Sequence, residues 1–184
     1  MSGVPAYTRG MEVSDAIRGL RVVRAFRQEA LADADVEALL EAGRRAGSSK
    51  NTQRRHFIVV RDRDRLHELS TIGDHAGHLA GAAVGIALIT PVPSPAPGAE
   101  RSLMWDLGGA AQNMILAAWS RGIGSAPATV YQQERCREIL AYPDGQHCEY
   151  ILSFGYPADP SDLTRPLRRG GRVPLHEIVH HEQW

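Results

Sequence analysis

Between Trp105 and Arg121 the chain reads WDLGGAAQNMILAAWSR, a run that is apolar on nearly every side of a helical wheel and rich in Gly and Ala. Such a run predicts a long, buried helix, because a helix without a polar face has no side to give to water. Its small residues allow close helix packing, and Gly122 and Gly124 supply the stop. Whatever else the chain folds into must enclose this helix.

The flanking segments supply the enclosing elements. MEVSDAIRG from Met11 predicts a short helix with Val13, Ile17 and Leu20 on one side. Asp33 to Ala46 predicts a helix capped by Asp33 or Asp35, with Val36, Leu39, Leu40 and Gly43 as its inner stripe. Buried strands are expected over His56–Arg61, Ala82–Thr90 and Cys148–Phe154, and further helices over Asp62–Ser70 and Gln132–Leu140. The four prolines of 91–98 predict an extended, mobile loop. Three strands alternating irregularly with at least five helices indicate an α+β layer fold. Residues 1–10 read as a disordered tail, and 11–184 as a single domain. Its polar, Arg-rich extension 159–184 holds Val173, Leu175, Ile178, Val179 and Trp184, which need a surface to pack on; a partner subunit is a natural one.

Composition excludes several classes. Lys and Arg together number 21 and Asp and Glu 21, so the net charge is zero. A nucleic-acid partner wants a basic excess, and none is expected. No apolar stretch approaches a membrane span, and MSGVPAYTRG lacks a signal core, so a cytoplasmic protein is expected. Cys136 and Cys148 form no CxxC pair and read as reduced thiols. There is no GxGxxG after a first strand, which removes the common dinucleotide fingerprint.

Four segments hold residues with chemistry. In AIRGLRVVRAF, Arg18, Arg21 and Arg24 recur every three residues. On a helix they share one face, which is either a solvated basic stripe or an anion site suited to phosphate. The segment GSSKNTQ, Gly47 to Gln53, is either an ordinary helix-to-strand loop or one that presents hydroxyls, an amide and free backbone N–H groups to a polyol or heterocycle. DLGGAAQNMILAAWSRGIGSAP, Asp106 to Pro127, taken alone is a buried helix with a glycine stop. RRGGRVPLHEIV, Arg168 to Val179, taken alone is a basic surface loop.

Together, and in this order, the four resemble the nitroreductase family over nearly the whole chain. RVVRAF matches its N-terminal basic-x-Phe segment and GSSKNTQRRHFIVV part of its Pro-Ser-x-x-Asn-x-Gln-Pro loop. DLGGAAQN…GIGS matches its Asp-x-Gly-x-x-x-x-Asn helix, and GYP with RVPLHEIV matches its closing motifs.

The resemblance implies an α+β fold with a central, mostly antiparallel sheet flanked by helices, in an intertwined homodimer with two FMN sites at the interface. It implies hydride transfer from NAD(P)H through FMN to a small-molecule acceptor such as a nitroaromatic or quinone. Arg21 would bind the FMN phosphate, with Arg24 near the phosphate or the pyrimidine edge and Arg172 returning from the tail. Ser48, Ser49 and Asn51 would reach the flavin from the other subunit, with Gln53 close by. The loop Pro127-Ala128-Thr129 would offer backbone N–H groups near the redox nitrogen. The hydride chemistry belongs to the cofactor, so no catalytic side chain is expected.

The sequence departs from the family pattern at Leu20, Val22 and Gly47, and at Arg54-Arg55, which replace a Pro-aromatic pair. His176 and His180 share a helical face without a third ligand, so no metal is expected. Asp74, His75 and His78 fall where the family often places groups near the pyrimidine edge. Other readings are a flavin-binding or regulatory protein with little turnover, or a flavin-fragmenting or dehalogenating member of the same family.

Overall fold

A computed structural model describes residues 11–167 and 171–184. The tail expected over 1–10, and Arg168 of the last motif, lie outside the described residues. The elements are α1 (Val13–Gly19), α2 (Asp33–Arg44), β1 (His56–Val60), α3 (Arg63–Leu69), β2 (Val84–Pro91), α4 (Ala99–Trp119), β3 (Gly124–Thr129), α5 (Gln133–Leu140) and β4 (Gln146–Gly155). The strands form one wholly antiparallel sheet in the order β1-β2-β4-β3. The α+β expectation therefore holds.

Strand alternation sends successive side chains to opposite faces, and helices cover both. Val84, Ile86 and Leu88 of β2 and Leu152 and Phe154 of β4 pack with Leu39 of α2 and Leu107 and Met114 of α4. Ala87, Ile89 and Ile151 face the other way, onto Leu66 and Leu69 of α3, Leu79, and Ile139 of α5. β2 is covered on both faces, which is why seven of its eight residues are buried. Helices α2 and α4 cross closely at Gly43, where an added Cβ would lie 2.1 Å from Met114 Cε. Cys136 and Cys148 are free thiols buried in the α5–β4 core.

Four local expectations need correction. The stripe of α1 does not point inward: Val13 and Ile17 are exposed and only Ala16 is buried. β1 is an edge strand, not a buried one, and His56 and Val59 face solvent. α4 starts six residues early, after Gly98 at φ 81°, and is not covered all round. Trp105 is 84% exposed, and Gly108, Gly109 and Gln112 lie on the same bare side. Finally, Gly124–Thr129 is a fourth strand where a glycine stop and a loop were expected. Gly and Pro depress strand propensity, yet Pro127 is tolerated because β3 is an edge whose missing donor faces outward.

Candidate functional site

The arginine segment is not a helix beyond Gly19. The β-branched pair Val22-Val23 favours extended backbone, and the chain runs along the sheet's end instead. Val23 N–H donates to Ser125 O at 2.9 Å, and Arg27 N–H donates to Tyr156 O at 2.9 Å. Val23 lies over Gly124, and Phe26 over Gly155. The three arginines therefore do not share a helical face. Arg18 turns back to Asp15 at 2.7 Å, an exposed pair. Arg21 is fixed: its Nη1 donates to the carbonyls of Arg18, Gly19 and Leu20 at 3.1, 2.9 and 3.0 Å, and its Nε to Arg165 O at 2.9 Å. It thus caps the C-terminal end of α1 and holds the start of the C-terminal extension, while Nη2 bonds to no other described residue. Arg24 is exposed and hydrogen-bonds to no other described residue.

The outer edge of β3 lies beside this segment. Ser125 O points outward to Val23, and Val130 N–H points inward to Glu149 O at 3.0 Å. By alternation Pro127 and Thr129 present their backbone groups outward and Ala128 turns inward to β4. Of the three residues Pro127, Ala128 and Thr129, Thr129 alone thus turns an N–H to the outer edge. Behind the strand sits His78, with 8% of its surface exposed. Its Nδ1 is 2.8 Å from Ser153 Oγ, and that hydroxyl donates to Ala126 O at 3.2 Å.

The loop Gly47 to Gln53 is held by α4. Asp106 is buried, and both its carboxylate oxygens accept from Ser49 N–H at 3.0 Å. Ser48 Oγ accepts from Gln53 N–H at 3.0 Å, and Gln53 Nε2 donates to Asn51 Oδ1 at 3.1 Å. Lys50, Asn51 and Gln53 take φ values of 51, 55 and 50°. Three left-handed non-glycine residues within four positions carry backbone strain, of the kind that gathers at binding sites. The loop and α4 border a concavity of about 690 Å³ with Ser48, Arg101, Trp105 and Gly109 on its walls. The Arg54-Arg55 departure acquires a structural reason. Arg55 caps the end of α2 through the carbonyls of Arg44, Ala46 and Gly47, and Arg54 reaches Ser102 Oγ at 3.4 Å.

Within one chain these groups fall into two halves. Arg21, Arg24 and the β3 edge gather where α4 ends: an added Cβ at Gly19 would lie 3.1 Å from Trp119 Nε1. Ser48 to Gln53 gather near Asp106, on the β1 side of the sheet. Thirteen residues of helix separate Asp106 from Trp119, about 20 Å at 1.5 Å per residue. Arg172 lies in the exposed extension and hydrogen-bonds to no other described residue. His75 is exposed, and His180 stacks on Trp184 at 4.2 Å. Two contributors were not singled out in the sequence as acting residues: Asp106, which anchors the loop, and Ser153, which holds His78. The Asp-x-Gly motif contained the first, whereas nothing local marks the second.

A profile described as Nitroreductase family matches residues 17–80 and 74–156. A provisionally named NADH dehydrogenase/NAD(P)H nitroreductase of Archaeoglobus fulgidus is 33% identical over 171 residues, 89% of this chain and 94% of that protein. A NADPH-flavin oxidoreductase of Vibrio harveyi is 26% identical over 183 residues, covering 92% of this chain and 73% of that protein. Among solved structures, a provisionally named nitroreductase from Desulfovibrio desulfuricans in complex with FMN superposes with a TM-score of 0.75 at 27% identity, over 96% of this chain and 99% of that one.

Proposed function

The chain belongs to the nitroreductase family, and on that premise we propose that it works as a homodimer whose two FMN sites each draw residues from both subunits. It is an NAD(P)H-dependent flavin oxidoreductase, and its acceptor is a nitroaromatic, quinone or similar small molecule. The observation that carries this reading is the division of the site along α4. The bare Gly108-Gly109 pair stands at the middle of that helix. Two copies of α4 crossing antiparallel at Gln112, on the same bare side of the helix as that pair, in an isologous contact, bring Asp106 of one beside Trp119 of the other. That places Ser48, Ser49, Asn51 and Gln53 of one subunit against Arg21, Arg24 and β3 of its partner.

FMN suits the donors present. A phosphate dianion taken partly out of water needs more than one guanidinium. Arg21 Nη2, Arg24 and the tail's Arg172 supply three. The outward N–H of Thr129 is positioned for the ring's redox edge, and Arg24 adds positive charge nearby. Bound FMN supplies the hydride acceptance and donation. The protein's share is to hold the ring, exclude water and admit donor and acceptor in turn to one face. No helix among the described residues is long and apolar enough to cross a membrane.

Purified protein is expected to be yellow, to release FMN rather than FAD on denaturation, and to oxidise NADH or NADPH faster when a quinone is added. A colourless protein that ignores added FMN sinks the flavin site; a yellow one that oxidises neither nucleotide is a flavin-binding protein with little turnover. Arg21→Ala and Arg172→Ala should each weaken FMN binding by about 1–3 kcal/mol, the scale of a lost charge-assisted hydrogen bond. Flavin-fluorescence titration measures both, and unchanged affinity in the two variants removes the phosphate assignment.

A further inference from the structure

We propose that His78, buried behind β3, takes up a solvent proton when the flavin held at Pro127–Thr129 is reduced, and returns it on reoxidation. The inference rests on the flavin site proposed above and adds to it a residue that positions a charge without touching the ring system.

The geometry comes first. Because Ser153 Oγ donates to Ala126 O, it accepts from the Nδ1–H of His78. In that tautomer the other ring nitrogen, Nε2, is an acceptor, buried and without a partner among the described residues. Buried polar atoms are seldom left so, and an exception calls for a reason. The Pro127 carbonyl favours the ring's protonated form, while burial, first, and Arg24, last, hold the imidazole below its ordinary value. His78 is therefore poised: neutral, with an acceptor carbonyl at hand if it gains a proton.

The groups around it are few. Ser153 meets it from β4, while Arg24 of the extended segment and the Pro127 carbonyl of β3 act on its charge. The turn Gly77–Gly81 carries no other charged side chain. Arg63 of α3 is turned to the Ala82 carbonyl. Asp74 and His75, on the loop leading into the turn, are exposed.

A hydride brings two electrons and one proton, so the reduced cofactor carries a negative charge that the oxidised one lacks. That charge lies just across Pro127 from His78 and raises the imidazole's proton affinity. The added proton comes from solvent, and reciprocity requires protonation of His78 to favour reduction in turn. Between the two pKa values of His78 each two-electron reduction therefore consumes one extra proton. The lower bound of this window lies below the ordinary imidazole range.

The test uses the FMN-loaded protein. Its midpoint potential, followed against pH, should show a segment one proton per two electrons steeper than its flanks. His78→Asn keeps a donor for Ser153 but cannot titrate, and should bind FMN without the steeper segment. Ring-nitrogen NMR of the unaltered protein, independent of how any variant folds, should show His78 neutral when oxidised and protonated when reduced at a pH inside the window. A wild-type profile without the segment, a segment that survives in His78→Asn, or a ring that stays neutral on reduction overturns the coupling. Failure to bind FMN at all is visible before any potential is measured, and overturns the flavin site and this inference together.

Discussion

Removing residues 168–184 is expected to turn a dimeric, yellow protein into a colourless monomer that still folds. In the single chain, Leu175 is 71% exposed, Ile178 61% and Trp184 fully so. Burial is worth roughly 25 cal/mol per Å² of apolar surface, so such a segment is stable only if something covers it. Among the described residues, neither large core includes any residue beyond Tyr156. A cut after Leu167 also keeps Leu163 against Val23 and Phe26, and keeps the Arg165 carbonyl that holds Arg21. The secondary structure and most of the thermal stability should therefore remain. What goes is Arg172, the apolar anchor and, through the lost dimer, the neighbour's loop. FMN binding and association are linked through the shared site, so they should fail together. Light scattering across a dilution series, read beside the flavin absorbance, decides it. A truncated chain that stays dimeric, or a monomer that keeps its FMN, shows that the extension is not the clasp proposed here.

The elements legible in the sequence were those whose own residues determine them. β2 is an unbroken apolar run buried on both faces, and α2 carries an inner stripe ending at Gly43 that the fold uses as expected. The misreadings came where a neighbour decides. β3 contains Gly124 and Pro127, poor strand residues, and is a strand because β4 offers it a partner and, among the described residues, no strand lies outside it. The α1 stripe was real as a pattern, but it points outward in the single chain. The bare side of α4 was invisible because Gly carries no polar signal: nothing in LGGAAQ separates a glycine facing a core from one facing water or a second subunit.

The site was legible as chemistry and not as geometry. Its motifs follow chain order, yet the fold carries Ser48–Gln53 to Asp106, in the N-terminal half of α4, and Arg21–Arg24 to the helix's C-terminal end. Three-residue spacing suggested that Arg18, Arg21 and Arg24 act together, which holds only on a helix. The helix ends at Gly19, and the arginines then take three separate roles. In the sequence, the family resemblance marked His78 only together with its neighbours Asp74 and His75. What distinguishes it is Ser153, 75 residues away, brought to 2.8 Å by the antiparallel return of β4.

Two glycines dock the arginine segment on the sheet, and Gly124→Ala should cost more FMN affinity than loss of either arginine alone. A Cβ at position 124 would lie 2.6 Å from Val23 Cβ and within 2.9 Å of both its methyls. Gly155 meets Phe26 in the same way, at 2.9 to 3.1 Å. On strand propensity alone, Ala in place of Gly should help β3. The sign reverses because Val23 is fully buried and its N–H is tied to Ser125 O, so the segment can only lift away. Overpacking of this kind costs about 1–3 kcal/mol of stability. Lifting moves Arg21 and Arg24 together, so FMN affinity should fall by roughly a hundredfold or more, about 3 kcal/mol. Circular dichroism should show the sheet intact while flavin titration shows the loss. The paired variant Gly124→Ala/Val23→Gly moves the methyl bulk from one side of the contact to the other, and should recover part of the binding. Should Gly124→Ala bind FMN like the parent, the arginine segment is not what positions the phosphate, and the site would have to be rebuilt around Arg172 and the partner's loop.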